Sequence, residues 1–194
     1  MARKYQICTR CVMDTTDSAI VFDEQGRCDH CSTYERDLVP AWEKQRQPGE
    51  LEKLAAKIRE AGKSREYDCI LGLSGGIDSS YLAMLAKETM GLRPLIYVVD
   101  TGWNLNVAVE NIERIVKGLD LDMVTDVINW NEMRDLQLAF FKAQVPYQDT
   151  PQDHAIFSSL YNYAVKHHIP YVLSGSNNAT ESIRPPYEWV YIND

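Results

Sequence analysis

The chain has 194 residues, of which 45% are hydrophobic and 25% are charged, as in an average soluble globular protein. These proportions exclude collagen-like, disordered and strongly supercharged proteins. The formal net charge of −8 argues weakly against a protein whose main task is to grip a nucleic-acid backbone. No stretch approaches the roughly 20 apolar residues of a membrane helix, and the start of the chain lacks a signal-peptide core. We therefore expect a cytoplasmic protein with no membrane insertion.

Four of the five cysteines form two close pairs near the start of the chain. The pattern is C-x2-C-x16-C-x2-C, made by Cys8, Cys11, Cys28 and Cys31. In a reducing compartment this spacing favours a metal site over disulfides, because two such turns place four thiolates around one tetrahedral ion. We predict structural zinc, with an iron–sulfur cluster as the main alternative. We expect His30 on the surface beside the ligands and Cys69 in the core.

The composition changes near residue 48, where Pro48-Gly49 interrupts the chain. We interpret residues 1–47, with a hairpin around residues 19–26, as a four-cysteine zinc-ribbon module. Residues 48–194 are interpreted as an ATP-binding α/β domain, for the reasons that follow.

Apolar runs alternate with helical periodicity in the second part of the chain. The predicted helices cover residues 50–62, 78–90, 106–118, 132–145 and 153–168, and the predicted strands cover residues 67–73, 94–99, 122–128 and 169–174. This alternation predicts a doubly wound parallel sheet with helices on both faces. Ligands bind such sheets at the carboxyl ends of the strands, so we expect loops 74–78, 100–104 and 175–181 to lie together.

The loop between the first predicted strand and the following helix has the features of a phosphate-binding site. Two glycines allow a sharp turn and close approach of a ligand, and the amides at a helix start favour an anion. The predicted contacts are Leu73, Ser74, Gly75, Gly76, Asp78, Ser79 and Ser80. Asp78 would face a phosphate only through a cation, so we assign it to Mg²⁺. The alternative is that Asp78 is an N-cap and the glycines form an ordinary turn.

The loop has no lysine at the position that a Walker A motif requires. Instead, SGGIDSS at residues 74–80 resembles the pyrophosphate loop (PP-loop) of N-type ATP pyrophosphatases. Residues 98–102, with Asp100, resemble the family's second nucleotide loop, and residues 173–178, with Gly175, resemble its later glycine loop. Glu181 is the candidate for a further Mg²⁺ ligand. A strand-ending turn for Asp100 and a solvated carboxylate for Glu181 remain the alternatives.

This resemblance implies an adenine nucleotide alpha hydrolase-like fold and the cleavage of ATP to AMP and pyrophosphate. A carbonyl or amide oxygen is activated as an adenylate, and a nitrogen or sulfur nucleophile then displaces AMP. Asp78 would serve catalysis through Mg²⁺, with no covalent enzyme nucleophile.

Residues 7–14, 20–31 and the SGSNNATES stretch at 174–182 closely resemble N-acetyl sugar amidotransferases of bacterial surface-polysaccharide (lipopolysaccharide) biosynthesis. The resemblance implies conversion of an acetamido group on an N-acetyl sugar, often nucleotide-linked, to an acetamidino group. It also implies ammonia from a separate glutaminase subunit as partner. Members of that family are longer, so we expect the chain to be truncated at its C-terminus, with Arg184 leading into a missing half or belonging to an unstructured tail.

Two other functions remain open at this point. A tRNA-thiolating PP-loop enzyme would use the cysteines for an iron–sulfur cluster or sulfur transfer, although the acidic total and the lack of a basic segment make nucleic acid an unlikely partner. A non-catalytic nucleotide-binding assembly subunit would use the ribbon as a docking surface.

Overall fold

The computed structural model describes residues 3–145, 147–176, 184–186 and 188. They form two compact units, one made of the residues up to 48 together with those between 184 and 188, and the other of Gly49–Ser176. The division into domains at residues 1–47 and 48–194 stays a prediction.

The first unit, which we call the ribbon unit, is built around short pairings and one helical run. Isolated antiparallel bridges join Ile7 to Asp14 and Phe22 to Cys28. The helices are α1 (Asp29–Thr33) and α2 (Val39–Gln45), and a π-helical turn, Tyr34–Leu38, connects them. The sequence analysis did not predict this helical run.

The second unit, which we call the sheet unit, alternates strands and helices as predicted. Its helices are α3 (Glu50–Gly62), α4 (Ile77–Met84, extended by a π-helical turn, Leu85–Thr89), α5 (Asn106–Gly118), α6 (Trp130–Lys142) and α7 (Thr150–Lys166). Its strands are β1 (Cys69–Gly72), β2 (Pro94–Asp100), β3 (Met123–Val127) and β4 (Val172–Leu173). Within the described part of the chain, no helix has the length and apolar character needed to cross a membrane.

The four strands form one parallel sheet in the order β3-β2-β1-β4. The predicted α/β fold with a parallel sheet is therefore confirmed. From β1 the chain adds β2 and β3 on one side and then returns to place β4 on the other. Such a reversal opens a crevice beyond the carboxyl ends of the central strands, which is the usual ligand position in open parallel sheets.

The alternation of side chains along β1 divides the core of the sheet unit. Leu71 packs with Ala83 of α4 and Ile112 of α5 on one face. Ile70 packs with Leu160 of α7 on the other face, together with Tyr97 of the neighbouring strand. Because both faces of β1 are buried, the loop that follows it starts from a rigid position.

Candidate functional site

The loop after β1 contains a glycine whose backbone conformation and neighbours disfavour any side chain. Gly75 has a positive φ of 76°, and a Cβ at this position would lie only 2.4 Å from the carbonyl oxygen of Ala108. Asn111 Nδ2 also donates to the Gly75 carbonyl oxygen at 3.2 Å. Residues of α5 therefore close over the loop and fix its path at the end of the sheet.

Serine side chains brace the same loop from within. The backbone N–H of Ser74 donates to Ser79 Oγ at 3.2 Å, and the two hydroxyl oxygens lie 3.0 Å apart. Ser80 Oγ donates to the Gly76 carbonyl oxygen at 2.5 Å. Ser79 is buried, and its observed contacts stabilise the conformation of the loop. The phosphate contacts predicted for Ser79 and Ser80 stay predictions.

Helix α4 begins without a capping side chain among the described residues, because its N-cap is Gly76. Asp78 lies in the first turn and is exposed, so the alternative assignment of Asp78 as the N-cap is wrong. An uncapped helix start following a glycine turn offers backbone N–H groups to an anion. One exposed carboxylate beside such a start suits Mg²⁺, which proteins hold by one or two carboxylates plus the phosphates of the substrate.

The loop after β4 lies against the start of α4. A Cβ added to Gly175 would come within 3.1 Å of the Ser79 backbone nitrogen and 3.3 Å of the Asp78 carbonyl carbon. The structure thus brings Gly175 together with Ser79 and Asp78, although they are nearly 100 residues apart in sequence. Glu181, the predicted second Mg²⁺ ligand, lies outside the described residues.

Asp100 ends β2 and shapes the loop that follows. Its Oδ1 accepts a hydrogen bond from the Gly102 backbone N–H at 2.9 Å. Gly102 has a φ of 87° and a Cβ there would lie 2.4 Å from the Trp130 ring, while Trp103 Nε1 donates to Gln137. The observed role of Asp100 is that of a strand-ending turn, and its contact with a nucleotide stays a prediction.

A cavity of about 280 Å³ opens at the carboxyl ends of β1, β2 and β4. Among the predicted residues, Leu73, Ser74 and Gly175 line it. The lining residues that the sequence analysis did not assign to the site include Asn104 after β2 and Gln152 and Tyr161 on α7. Helical periodicity contained the signal for Gln152, because Gln152, Ile156 and Leu160 recur every four residues on one face of α7.

The floor of this cavity includes a tyrosine held by a carboxylate. Tyr97 donates its hydroxyl hydrogen to Asp126 at 2.9 Å, and its ring packs 5.0 Å from that of Tyr163. Burial, together with the bond to Asp126, raises the pKa of Tyr97 well above its usual value. The group therefore stays protonated at neutral pH and belongs to the framework of the cavity.

The ribbon unit brings the four predicted metal ligands together. The sulfur atoms of Cys8, Cys11, Cys28 and Cys31 all lie within 4.8 Å of one another. The Cys8–Cys31 and Cys11–Cys28 sulfur separations are 3.9 and 3.6 Å. A tetrahedron of sulfurs at the zinc–thiolate distance of 2.3 Å has edges of about 3.8 Å. The arrangement therefore fits a single tetrahedral ion.

The surroundings of these sulfurs also suit bound thiolates. Burial acts to raise the pKa of Cys8, but backbone N–H groups, among them those of Arg10 and Cys28 at 3.4 and 3.3 Å, lower it to about 6. Burial, with the thiols of Cys11 and Cys8, raises the pKa of Cys28 to about 11. Thiolates this close repel one another, and a divalent cation between them removes that cost.

His30 is buried, so the expectation that it lies on the surface is wrong. Its Nε2 lies 2.8 Å from Asp17 Oδ2, and Asp17 is only 1% exposed. Arg184 Nη2 lies 2.9 Å from the same carboxylate oxygen and 3.4 Å from Asp29 Oδ2. Burial acts to raise the pKa of Asp17, but the hydrogen bonds from His30 and Arg184 lower it overall, so the carboxylate is ionised. Sequence spacing gives no sign of this network, because its members lie up to 167 residues apart.

Cys69 differs from the other cysteines. It is completely buried in β1, and burial raises its pKa to about 12. It therefore serves as a small core residue, as its position in an apolar run predicts.

Comparison with known proteins identifies relatives of this chain. An uncharacterized protein of Methanocaldococcus jannaschii is 30% identical over 118 residues, which cover 60% of this chain and 41% of that protein. The solved NH3-dependent NAD synthetase of Campylobacter jejuni is 25% identical with a TM-score of 0.48, covering 66% of this chain and 56% of that one. NMN synthetase of Francisella tularensis is 21% identical with a TM-score of 0.49, covering 66% and 53%.

The chain thus spans between about two fifths and just over half of the length of these proteins. The family described as NAD synthase matches residues 50–183, a range that begins with α3 and includes the whole sheet and the loop after β1. Because this match covers more than half of the chain, the protein belongs to the NAD synthase family of PP-loop ATP-utilising enzymes.

Proposed function

We propose that this chain is the ATP-activating part of an amidotransferase that converts the acetamido group of an N-acetyl sugar to an acetamidino group. The family supports the coarser part of this proposal, the ATP-dependent transfer of nitrogen. The resemblance of residues 7–31 and 174–182 to N-acetyl sugar amidotransferases supports the choice of substrate.

The geometry of the loop after β1 is the observation on which the proposal depends most. Gly75 has space for no side chain, α4 starts uncapped, and Gly175 closes against that start. This arrangement presents backbone N–H groups to an anion without a lysine, which suits pyrophosphate as a leaving group held by amides and Mg²⁺.

The proposed reaction has two steps. The acetamide oxygen of the sugar attacks the α-phosphorus of ATP, a new P–O bond forms, and pyrophosphate leaves. Ammonia then attacks the activated carbon, AMP leaves with the former amide oxygen, and loss of a proton gives the amidine. Ammonia would come from a glutaminase partner. The chain contributes chiefly by positioning the phosphates and by excluding water from the cavity beside Ser74 and Gly175.

The two metals would have different tasks. Mg²⁺ would be held by Asp78 and the phosphates of ATP, and it would neutralise charge that develops on the leaving pyrophosphate. Zinc would be held by the four cysteines as a closed site with no open position, which restricts it to a structural role.

A second candidate has its own support. The family match favours amidation of a carboxylate, as in the NAD synthetases to which the chain is similar. The chemistry is the same up to the adenylate, and only the acyl group that enters the cavity differs.

Pyrophosphate release is the measurement that tests the proposal. The chain, and any longer form of the protein, would be assayed with MgATP, ammonium and a panel of nucleotide-linked N-acetyl sugars, alongside the carboxylic acid analogue of NAD. We expect pyrophosphate in stoichiometric amounts with one acetamido sugar and with none of the non-acetylated analogues.

The other outcomes identify the competing functions. Release that depends on the NAD analogue would establish the second candidate. ATP binding with no release under any condition would identify a non-catalytic nucleotide-binding subunit. A coloured protein whose release requires tRNA would establish a thiolating enzyme.

A further inference from the structure

A short segment near the end of the chain completes the ribbon unit. Arg184 Nη2 lies 2.9 Å from Asp17 Oδ2. Pro186 is fully buried, and Glu188 Oε1 accepts a hydrogen bond from the Ser18 backbone N–H at 2.9 Å. These contacts all lie within the unit that holds the four clustered cysteines. The ribbon unit is therefore assembled from two stretches that lie far apart in the sequence.

Asp17 is the buried centre of these contacts. The residue is only 1% exposed, and its Oδ1 accepts a hydrogen bond from the Ala19 backbone N–H at 3.0 Å. Its Oδ2 lies 2.8 Å from His30 Nε2 and 2.9 Å from Arg184 Nη2. A buried carboxylate that loses a charged partner is strongly destabilised. Of these three partners, the Arg184 guanidinium is the one with a permanent positive charge.

The same contacts fix the turn that carries two of the four predicted metal ligands. Asp29 and His30 are the two residues between the second pair of cysteines. The buried His30 side chain is bonded to Asp17. Asp29 Oδ1 accepts a hydrogen bond from the Val21 backbone N–H at 3.0 Å, and Asp29 Oδ2 lies 3.4 Å from Arg184 Nη2. Both side chains of the turn are thus held by groups outside it, and the backbone that carries the two sulfurs is held with them.

A fixed turn favours metal binding because the ion requires all four sulfurs at set separations. The two printed distances between the cysteine pairs, 3.9 and 3.6 Å, already suit one tetrahedral ion. A site that is ordered before the ion arrives loses less conformational entropy when it binds. Groups that orient ligands without touching the ion typically change its affinity by about 10–100-fold. Arg184 and Asp17 stand in that relation to the turn between Cys28 and Cys31.

We propose that Arg184 is a positioning residue for the four-cysteine metal site, and that it acts through Asp17 and Asp29 on the turn between Cys28 and Cys31. The ribbon unit then reaches its full affinity for metal only with this late segment of the chain in place, although Arg184 is no ligand. The inference goes beyond the proposed function, because it concerns the ribbon unit alone and involves neither ATP nor an acyl substrate.

The test measures the Zn²⁺ affinity of the full chain by competition with a chromophoric chelator of known affinity. We expect Arg184→Ala to weaken Zn²⁺ binding about tenfold, as for other groups that orient metal ligands. Arg184→Lys keeps the charge beside Asp17 but lacks the planar fork of a guanidinium, so it should recover part of the loss. Arg36→Ala is the matched control, because Arg36 pairs with Asp37 on the exposed surface of the same unit. It should bind Zn²⁺ as the unchanged protein does.

A double-mutant cycle tests whether Arg184 acts through Asp17. Asp17→Asn keeps the size of the side chain and removes the charge that Arg184 meets. The double variant Asp17→Asn/Arg184→Ala should bind Zn²⁺ about as well as the weaker of the two single variants, because both substitutions remove the same contact. Losses that multiply in the double variant would overturn the action through Asp17.

The remaining outcomes separate this inference from the proposed function. Binding of Zn²⁺ by Arg184→Ala within about twofold of the unchanged protein would overturn the inference and leave the proposed function intact. If Arg184→Ala does not fold, Arg184→Lys decides the matter: a loss of about threefold or more supports the inference, and a smaller loss overturns it. An unchanged protein that binds no Zn²⁺ overturns the inference together with the predicted zinc site. Failure of the pyrophosphate assay removes the proposed function and does not alter the Zn²⁺ result.

Discussion

The two units are stabilised in different ways. Among the residues that the structure describes, the sheet unit has three clusters of buried apolar residues, which lie on both faces of its strands. The described part of the ribbon unit has one, and two of the three residues buried at its centre, Cys8 and Cys28, are predicted metal ligands. The third is Ile20. We therefore expect hydrophobic burial to be sufficient to fold the sheet unit, and we expect the ribbon unit to need its predicted metal in place of a larger core.

This difference separates two effects of substitution that an activity assay alone would confuse. We expect a substitution in the ribbon unit to change stability through the predicted metal site. A substitution in the sheet unit should change it through packing or backbone strain.

Cys28→Ser should have the largest effect. Removal of one thiolate opens the tetrahedral site, and structural zinc contributes on the order of 10 kcal/mol of apparent folding free energy in small zinc domains. We expect loss of bound metal and loss of amide protection in the ribbon unit, while the sheet unit keeps its protection. Hydrogen exchange with mass spectrometry, together with metal analysis, measures both.

Cys69→Ala is the matched control for this change. It removes a buried sulfur from the core of the sheet unit and should cost about 1 kcal/mol, with the metal content unchanged. A metal-free Cys28→Ser protein whose ribbon unit remained as protected as before would show that the unit folds by packing, and the contrast between the units would be lost.

Gly75→Ala should have an intermediate effect, confined to the sheet unit. Its φ of 76° costs about 1 kcal/mol for a residue with a Cβ. The approach to the Ala108 carbonyl oxygen at 2.4 Å adds an overpacking cost of about 1–3 kcal/mol. We expect a chemical denaturation midpoint lowered accordingly and a loss of MgATP binding, because the loop must move to admit the methyl group.

Gly49→Ala separates the two terms. Gly49 has a similar φ of 86°, but a Cβ there meets nothing within 4 Å. This variant should lose only the conformational term and should bind MgATP normally. Equal destabilisation by the two substitutions would mean that the contact with Ala108 does not constrain the loop.

The sequence was sufficient to predict the sheet unit because its local patterns agree with its tertiary structure. Residues 106–118 were predicted as a helix and form α5 with those bounds, because Ile112, Ile115 and Val116 recur at helical spacing and pack in the core of the sheet unit. The loop after β1 was also predicted from the sequence, since its glycines meet a local requirement for a sharp backbone turn. The ends of the elements were less well predicted. Strand β4 has only two residues where six were expected, because pairing with β1 decides its length.

The ribbon unit was harder to predict because its order comes from contacts that are distant in sequence. The run from α1 to α2 contains Pro40 and has no buried residue from position 34 to 45, so no helical stripe appears in the sequence. His30 was assigned to the surface because a histidine between ligands has no apolar neighbours to indicate burial. Its partners, Asp17 and Arg184, become visible only when the chain returns to the unit after residue 183. The cysteine pattern, by contrast, was sufficient to identify the four clustered sulfurs, because ligand spacing is a local property.

Asp78→Asn should have the smallest effect on stability and so provides the sharpest separation of function from folding. Asp78 is exposed in the first turn of α4 and does not cap the helix. The substitution should therefore change the protein's free energy of unfolding by no more than about 0.5 kcal/mol. Its proposed task is to hold Mg²⁺ against the phosphates of ATP, and an amide is a far poorer ligand for that ion. We expect pyrophosphate release to fall by at least a hundredfold at saturating ammonium. The matched control is Asp153→Asn, which changes an exposed first-turn aspartate of α7 and should leave the rate of release unchanged. Partial recovery of release by Mn²⁺ in Asp78→Asn would support a metal contact. Undiminished release with Mg²⁺ would instead remove Asp78 from the mechanism. The loop amides would then be the main means by which the sheet unit stabilises the leaving pyrophosphate.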